Sequence, residues 1–77
     1  MRIEFSRGIL IVTPHEILIR LTDMPDTVLQ AQQESITLFG QEANVIMANG
    51  GGVKWSIKVD NTDQLKWISE ELGCEIR

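Results

Sequence analysis

From Val53 to Val59 the chain alternates apolar and polar residues without a break (Val53-Lys54-Trp55-Ser56-Ile57-Lys58-Val59), directly after Gly50-Gly51-Gly52. A period of two is the pattern of a strand buried on one face. A few residues later the period changes. Asn61 and Gln64 stand three apart as a capping pair, and Asp63 falls in a first turn, where negative charge suits the helix dipole. Leu65, Ile68 and Leu72 follow at i, i+3 and i+7, an apolar stripe, and Gly73 is placed for a left-handed cap. The chain must therefore finish with a sheet strand feeding a helix that lies on the sheet. This limits the architecture and names no chemistry.

Upstream, the segments are short and strand-like. Ile3-Glu4-Phe5 and Ile9-Leu10-Ile11-Val12 flank Ser6-Arg7-Gly8, which reads as a three-residue hairpin turn. Thr13-Pro14 interrupts the run because proline cannot donate to a ladder. His15 to Leu21 then resumes as a third strand, its β-branched residues and the nearby proline favouring strand over a short helix. Thr22-Asp23-Met24-Pro25-Asp26 reads as a loop. Thr27 to Gln33 suits either a helical turn or a polar edge strand; the strand is favoured because Ser35 to Phe39 is strand-like too and would give a short antiparallel pair. Gly40-Gln41-Glu42 reads as a turn, Ala43 to Met47 as a strand, and Asn49 to Gly52 as a flexible hairpin loop. Cys74 and Ile76 are placed to return as a terminal extension.

The expected fold class is α+β: six or seven short strands, mostly antiparallel, forming a small sandwich or a curled or half-open barrel with one C-terminal helix, in a single domain over residues 1–77. The order of elements is similar to that of a compact pleckstrin-homology domain, in order only.

At 77 residues the chain buries roughly 60% of the surface its unfolded form exposes, so its core needs help from packing or a partner. Cys74 is the lone cysteine and His15 the lone histidine, which rules out an internal disulfide and supplies poorly for a metal. Eleven acidic against seven basic side chains give a net charge of −4, which repels a phosphate backbone and argues against nucleic acid. No apolar run has bilayer length, and the charged, alternating start lacks a signal-peptide core. With the lone cysteine, this points to the cytoplasm.

Catalysis finds little support in the sequence. A nucleophile needs a base and an orienting group that meet in space, and nothing brings His15 and Cys74 together. The plainer reading is a strand-end histidine and a cysteine acting as a small hydrophobe. The carboxylates Asp23, Asp26, Glu42, Glu70 and Glu71 fall on turns or the polar helix face, which are solvated positions. Gly50 to Gly52 opens a strand, whereas a phosphate loop opens a helix and brings a lysine with Ser or Thr. The expectation is a protein that is not an enzyme and uses no cofactor.

Two features point to binding. Trp67 lies about 160° around the helix from Leu65 at ~100° per residue, off the core stripe, and is either covered by a loop or offered to a partner. Trp55, in phase with Val53 and Ile57, reads as core. The runs Ile9–Val12 and Ile17–Leu21 are apolar on both faces, more than one sheet and one helix can cover. Either the sheet curls on itself or a second copy covers the far face. Candidate interaction residues are thus Trp67, Leu18 and Leu10, in a homodimer or with another protein. Lys54 and Lys58, sharing a polar face with Ser56, are candidate contacts for an anion, although lysines on a strand usually serve solubility.

Ile3-Glu4-Phe5, the corner Val12-Thr13-Pro14-His15-Glu16, and Val53 to Lys58 leading to Gln64-Leu65 and Glu71-Leu72-Gly73 resemble a small family of uncharacterised proteins of marine bacteria. The resemblance spans nearly the whole chain and implies no activity. The sequence therefore supports a self-associating protein-interaction module, with a small-ligand or lipid-headgroup binder as the alternative. In that alternative the Gly50–Gly52 loop and the Lys54/Lys58 face would line the site.

Overall fold

Apolar residues at alternate positions sort the strands of the computed structural model, which describes residues 1–77, into two antiparallel meanders. Strands β1 (Arg2–Phe5), β2 (Gly8–Val12), β3 (Glu16–Leu21) and β4 (Met24–Gln32) make a four-stranded sheet. A single 3₁₀ turn at Gln33–Ser35 carries the chain to β5 (Ile36–Phe39), β6 (Val45–Gly50) and β7 (Val53–Lys58), the second sheet. Helix α1 spans Thr62–Leu72. Ile3, Leu10, Ile17 and Ile19 from the first sheet meet Leu38, Ile46 and Ile57 from the second, and Leu65, Ile68 and Leu72 of α1 complete one core. The α+β expectation holds, and the sheets do not close into a barrel.

Three turns are tighter than the sequence suggests. Phe5 pairs with Gly8, so Ser6-Arg7 alone makes the first turn and Gly8 belongs to β2. Gly8 is needed there for space: a Cβ would lie 1.9 Å from the Arg20 carbonyl oxygen. Leu21 pairs with Met24, so Thr22-Asp23 is the second turn and Met24-Pro25-Asp26 lies within β4, where a bulge opposite Arg20/Leu21 absorbs the extra residues. Proline is tolerated because β4 is an edge strand. Gly50 pairs with Val53, which leaves Gly51-Gly52 as a two-residue turn with φ of 60° and 81°, the left-handed pair that matches strand twist. What reads as a flexible loop is thus a tight hairpin tip.

The Thr27–Gln33 segment is strand through Gln32, paired with β3 and not with the strand that follows it. Strand β6 starts at Val45 rather than Ala43, because Gln41, Glu42 and Asn44 all take positive φ in the preceding loop.

The helix start is built as read, with an extension. The Gln64 N–H donates to Asn61 Oδ1 at 2.9 Å, while the Gln64 side chain accepts from the Asp60 N–H at 2.9 Å and donates to the Glu4 carbonyl at 3.3 Å. Gly73 closes the helix at φ 74°. Beyond it Ile76 bridges Leu38 in parallel, with Arg77 N–H donating to the Leu38 carbonyl at 2.8 Å, so the terminal residues cover the outer edge of β5.

Candidate functional site

Each strand of the first sheet has an inner and an outer row, and the register decides which outer residues touch. Arg2, Ile11, Leu18 and Gln30 lie across one line of the outer face, and Glu4, Ile9, Arg20 and Val28 across the next. Ile9, Ile11 and Leu18 are direct neighbours in this grid, while Val28 lies beyond Arg20 and meets Leu18 only diagonally. Ile11 is 40% exposed and Val28 46%, while Ile9 and Leu18 are half-buried. The doubly apolar strands are therefore covered on one side only, since the second sheet and the helix pack on the inner face. Around the patch stand two bases, Arg2 and Arg20, and two acids, Glu4 and Glu16. Arg2 sits 3.6 Å from Glu4, and Gln30 donates to Glu16 at 3.1 Å.

A second feature opens between the C-terminal half of β4 and the tip of the β6–β7 hairpin. It is a cleft of about 430 Å³, with Gln30 and Gln32 on one side and Asn49, Val53 and Trp55 on the other. Ser35 also lines it, packed so closely on Gly50 that a Cβ there would come 2.7 Å from Ser35 Oγ. No charged side chain lines it.

The third is a clamp between β1 and the loop leading into α1. Asp60 accepts the Ser6 N–H at 2.8 Å and the Ser6 hydroxyl at 2.5 Å. The Ser6 hydroxyl bond, helped by the Ser6 amide and Gln64 and opposed by desolvation, holds the Asp60 carboxyl below its ordinary value.

The predicted residues scatter over these features. Leu18 lies on the outer face, as a contact surface requires. Leu10 does not: it is 0% exposed and points into the core, because it is one residue out of phase with Ile9 and Ile11. Leu10 is thus a structural residue, and the contact residues its strand offers are its two neighbours. Trp67 is 46% exposed on α1. The helix packs on the inner side of the sheets, so Trp67 and Leu18 belong to different surfaces. Trp55 is half-buried, packed against the core at one side and lining the cleft at the other.

Lys54 and Lys58 are exposed but alternate with Trp55 and Ile57, which puts them on the other face of β7 from the cleft. Gly50 alone of the glycine loop lines the cleft, and neither lysine does. Lys58 shares a shallow depression with Ser6, Arg7 and Asp60 instead. His15 is exposed, and its side chain makes no ion pair with a carboxylate. Cys74 is half-buried, its thiol donating to the Gln33 carbonyl at 3.8 Å, and burial pushes its pKa up. No three His, Cys, Asp or Glu side chains group to hold a metal, and no helix is long and apolar enough to cross a membrane.

The sequence reading missed Ile9, Ile11 and Val28 as surface residues and Gln30 and Gln32 as cleft residues. Register was the lacking signal: a strand apolar on both faces does not say which face is inward.

Fold and surfaces together define a class, a small α+β module of two antiparallel meanders sharing one core with a C-terminal helix. Within that class, the chain belongs to the DUF3389 family, described as a protein of unknown function, whose model matches residues 1–76. No curated protein and no solved structure matches it.

Proposed function

We propose that this protein is a non-enzymatic binding module that self-associates through the outer face of its first sheet. The observation that carries the reading is the Ile9–Ile11–Leu18 patch, with Val28 diagonal to it, left uncovered by every other element of its own chain. A second copy is the fitting occupant because the rim carries equal numbers of opposite charges. Rotated by a two-fold axis, such a rim can set its arginines against the partner's glutamates. The lone free cysteine and the resemblance to proteins of marine bacteria support a place in a bacterial cytoplasm.

Size sets the strength. Four strands ~4.8 Å apart and about five residues at ~3.4 Å each present a face of roughly 300 Å², well under the ~800 Å² per partner of a stable complex. Association is therefore weak and concentration-dependent, in the transient class.

Sedimentation velocity over a range from micromolar to millimolar protein tests this. The wild-type coefficient should rise with concentration, and Leu18→Glu should hold it at the monomer value with an unchanged circular dichroism spectrum. A monomer at all concentrations would overturn the proposal. So would association that survives Leu18→Glu but is lost in Trp67→Glu, which would place the contact on the helix.

A further inference from the structure

Every open sheet leaves strand edges that invite pairing with another chain, and proteins normally block them. The edges here differ in how they are treated. In β1 the outward-facing groups near its end are taken: Asp60 binds the Ser6 amide and Gln64 binds the Glu4 carbonyl. The outer edge of β5 is covered by the chain's own Ile76 and Arg77. The edge positions of β7 carry Lys54 and Lys58, and charge discourages pairing. The first half of β4 contains Pro25, Asp26 and the bulge.

The second half of β4 has none of these devices. Gln33 N–H donates to the His15 carbonyl, so by the alternation of an antiparallel ladder Ala31 and Leu29 also face β3. The backbone groups of Val28, Gln30 and Gln32 consequently point away from the sheet, and β4 pairs with no strand on that side. The uncharged cleft lies along Gln30 and Gln32, with Val53 and Trp55 across from them.

We infer that this cleft is a strand-docking site, in which the β4 edge from Val28 to Gln32 takes up an extended, uncharged peptide segment of a partner protein. The main-chain groups of Val28, Gln30 and Gln32 hydrogen-bond the segment, which supplies affinity independent of sequence. Trp55 and Val53 receive apolar side chains at alternate positions of the segment, and the amides of Gln30, Gln32 and Asn49 meet neutral polar ones. A charged segment is disfavoured because no lining residue neutralises it. The site borders the self-association face at Val28 and Gln30, but it uses main-chain groups of the β4 edge where that face uses side chains, and it does not depend on that face.

The probe is the blocked peptide acetyl-Thr-Val-Gln-Val-Gln-Val-Thr-amide, titrated to millimolar concentration into Ile11→Glu protein, whose substitution lies on β2 away from the β4 edge, so that self-association does not interfere. The readouts are ¹⁵N chemical shifts along the backbone and Trp55 fluorescence in a Trp67→Phe background. Saturable shifts confined to Val28–Gln32 and the Val53–Trp55 wall are expected. Affinity should drop at least tenfold when one alternate set of peptide amides is N-methylated, and likewise when the valines are replaced by glutamates. Gln30→Pro, which removes an outward N–H without touching the β3 ladder, should act in the same direction. The inference is overturned by no saturable shift, by shifts centred on the β7 edge, or by equal binding of the peptide N-methylated on either alternate set. The N-methylated peptides decide the matter even if Gln30→Pro does not fold.

Discussion

Gly8→Ala tests whether the first sheet is held by a close backbone approach, as the register requires. The added Cβ would lie 1.9 Å from the Arg20 carbonyl oxygen and 2.9 Å from its carbon, with Leu21 Cα at 3.1 Å. These are backbone atoms, so no flexible side chain can move aside. Ordinary contact begins at 3.4 Å, which leaves the strands about 1.5 Å too close. Gly8 also sits at φ 154°, where an L side chain is strained by roughly 1–3 kcal/mol. Parting the strands would weaken one or two ladder bonds beside Gly8 and Leu21, at about 1 kcal/mol each. The sum is about 3 kcal/mol, against a total stability of about 4–12 kcal/mol for 77 residues at ~0.05–0.15 kcal/mol each. With an unfolding entropy of about 2.1 cal/mol/K per residue, that corresponds to a fall in Tm of roughly 18 °C. Differential scanning calorimetry of Gly8→Ala beside Gly51→Asn makes the comparison. Nothing lies within 4 Å of a Cβ at Gly51, and asparagine suits the left-handed turn, so the second variant should melt within a few degrees of wild type. If Gly8→Ala melts there too, the close approach of β2 and β3 is refuted.

Two further predictions concern the clamp between β1 and α1. The folded pKa of Asp60 lies below its unfolded value of ~3.9, so the stability it contributes is present above that pH and is lost as pH falls through the folded pKa. Asp60→Asn should therefore flatten the acid limb of a urea-denaturation series taken from pH 7 to pH 2, and a limb identical to wild type would show that the Ser6 bonds contribute nothing. Asn61→Ala removes the helix cap and should cost about 1 kcal/mol, whereas Gln64→Ala strands the Asp60 N–H and the Glu4 carbonyl together and should cost about 2 kcal/mol. Chemical denaturation that ranks the two the other way would show that Gln64 acts as a local cap and not as the link between sheet and helix.

What the sequence determined by itself lies mostly at the C-terminal end. The alternation from Val53 to Val59, the Asn61–Gln64 cap, the Leu65–Ile68–Leu72 stripe and the Gly73 stop are local signals, each fixed by backbone geometry within a few residues. They appear in the structure where the pattern put them. The α+β class and the run of short strands follow from the same local rules.

Tertiary structure decided which face of a two-sided apolar strand turned inward. Ile9, Leu10, Ile11 and Val12 are chemically alike, so the inward choice of Leu10 and Val12 depends on pairing with Ile19 and Ile17, whose own phase is set by the second sheet and the helix. Pairing likewise decided that Gly8 belongs to a strand, that β4 joins β3 instead of β5, and that the chain's last residues seal the β5 edge while half of β4 stays open. Register and edge treatment are relations between residues far apart in the chain. No local pattern carries them, and both surfaces on which binding is proposed are made of them.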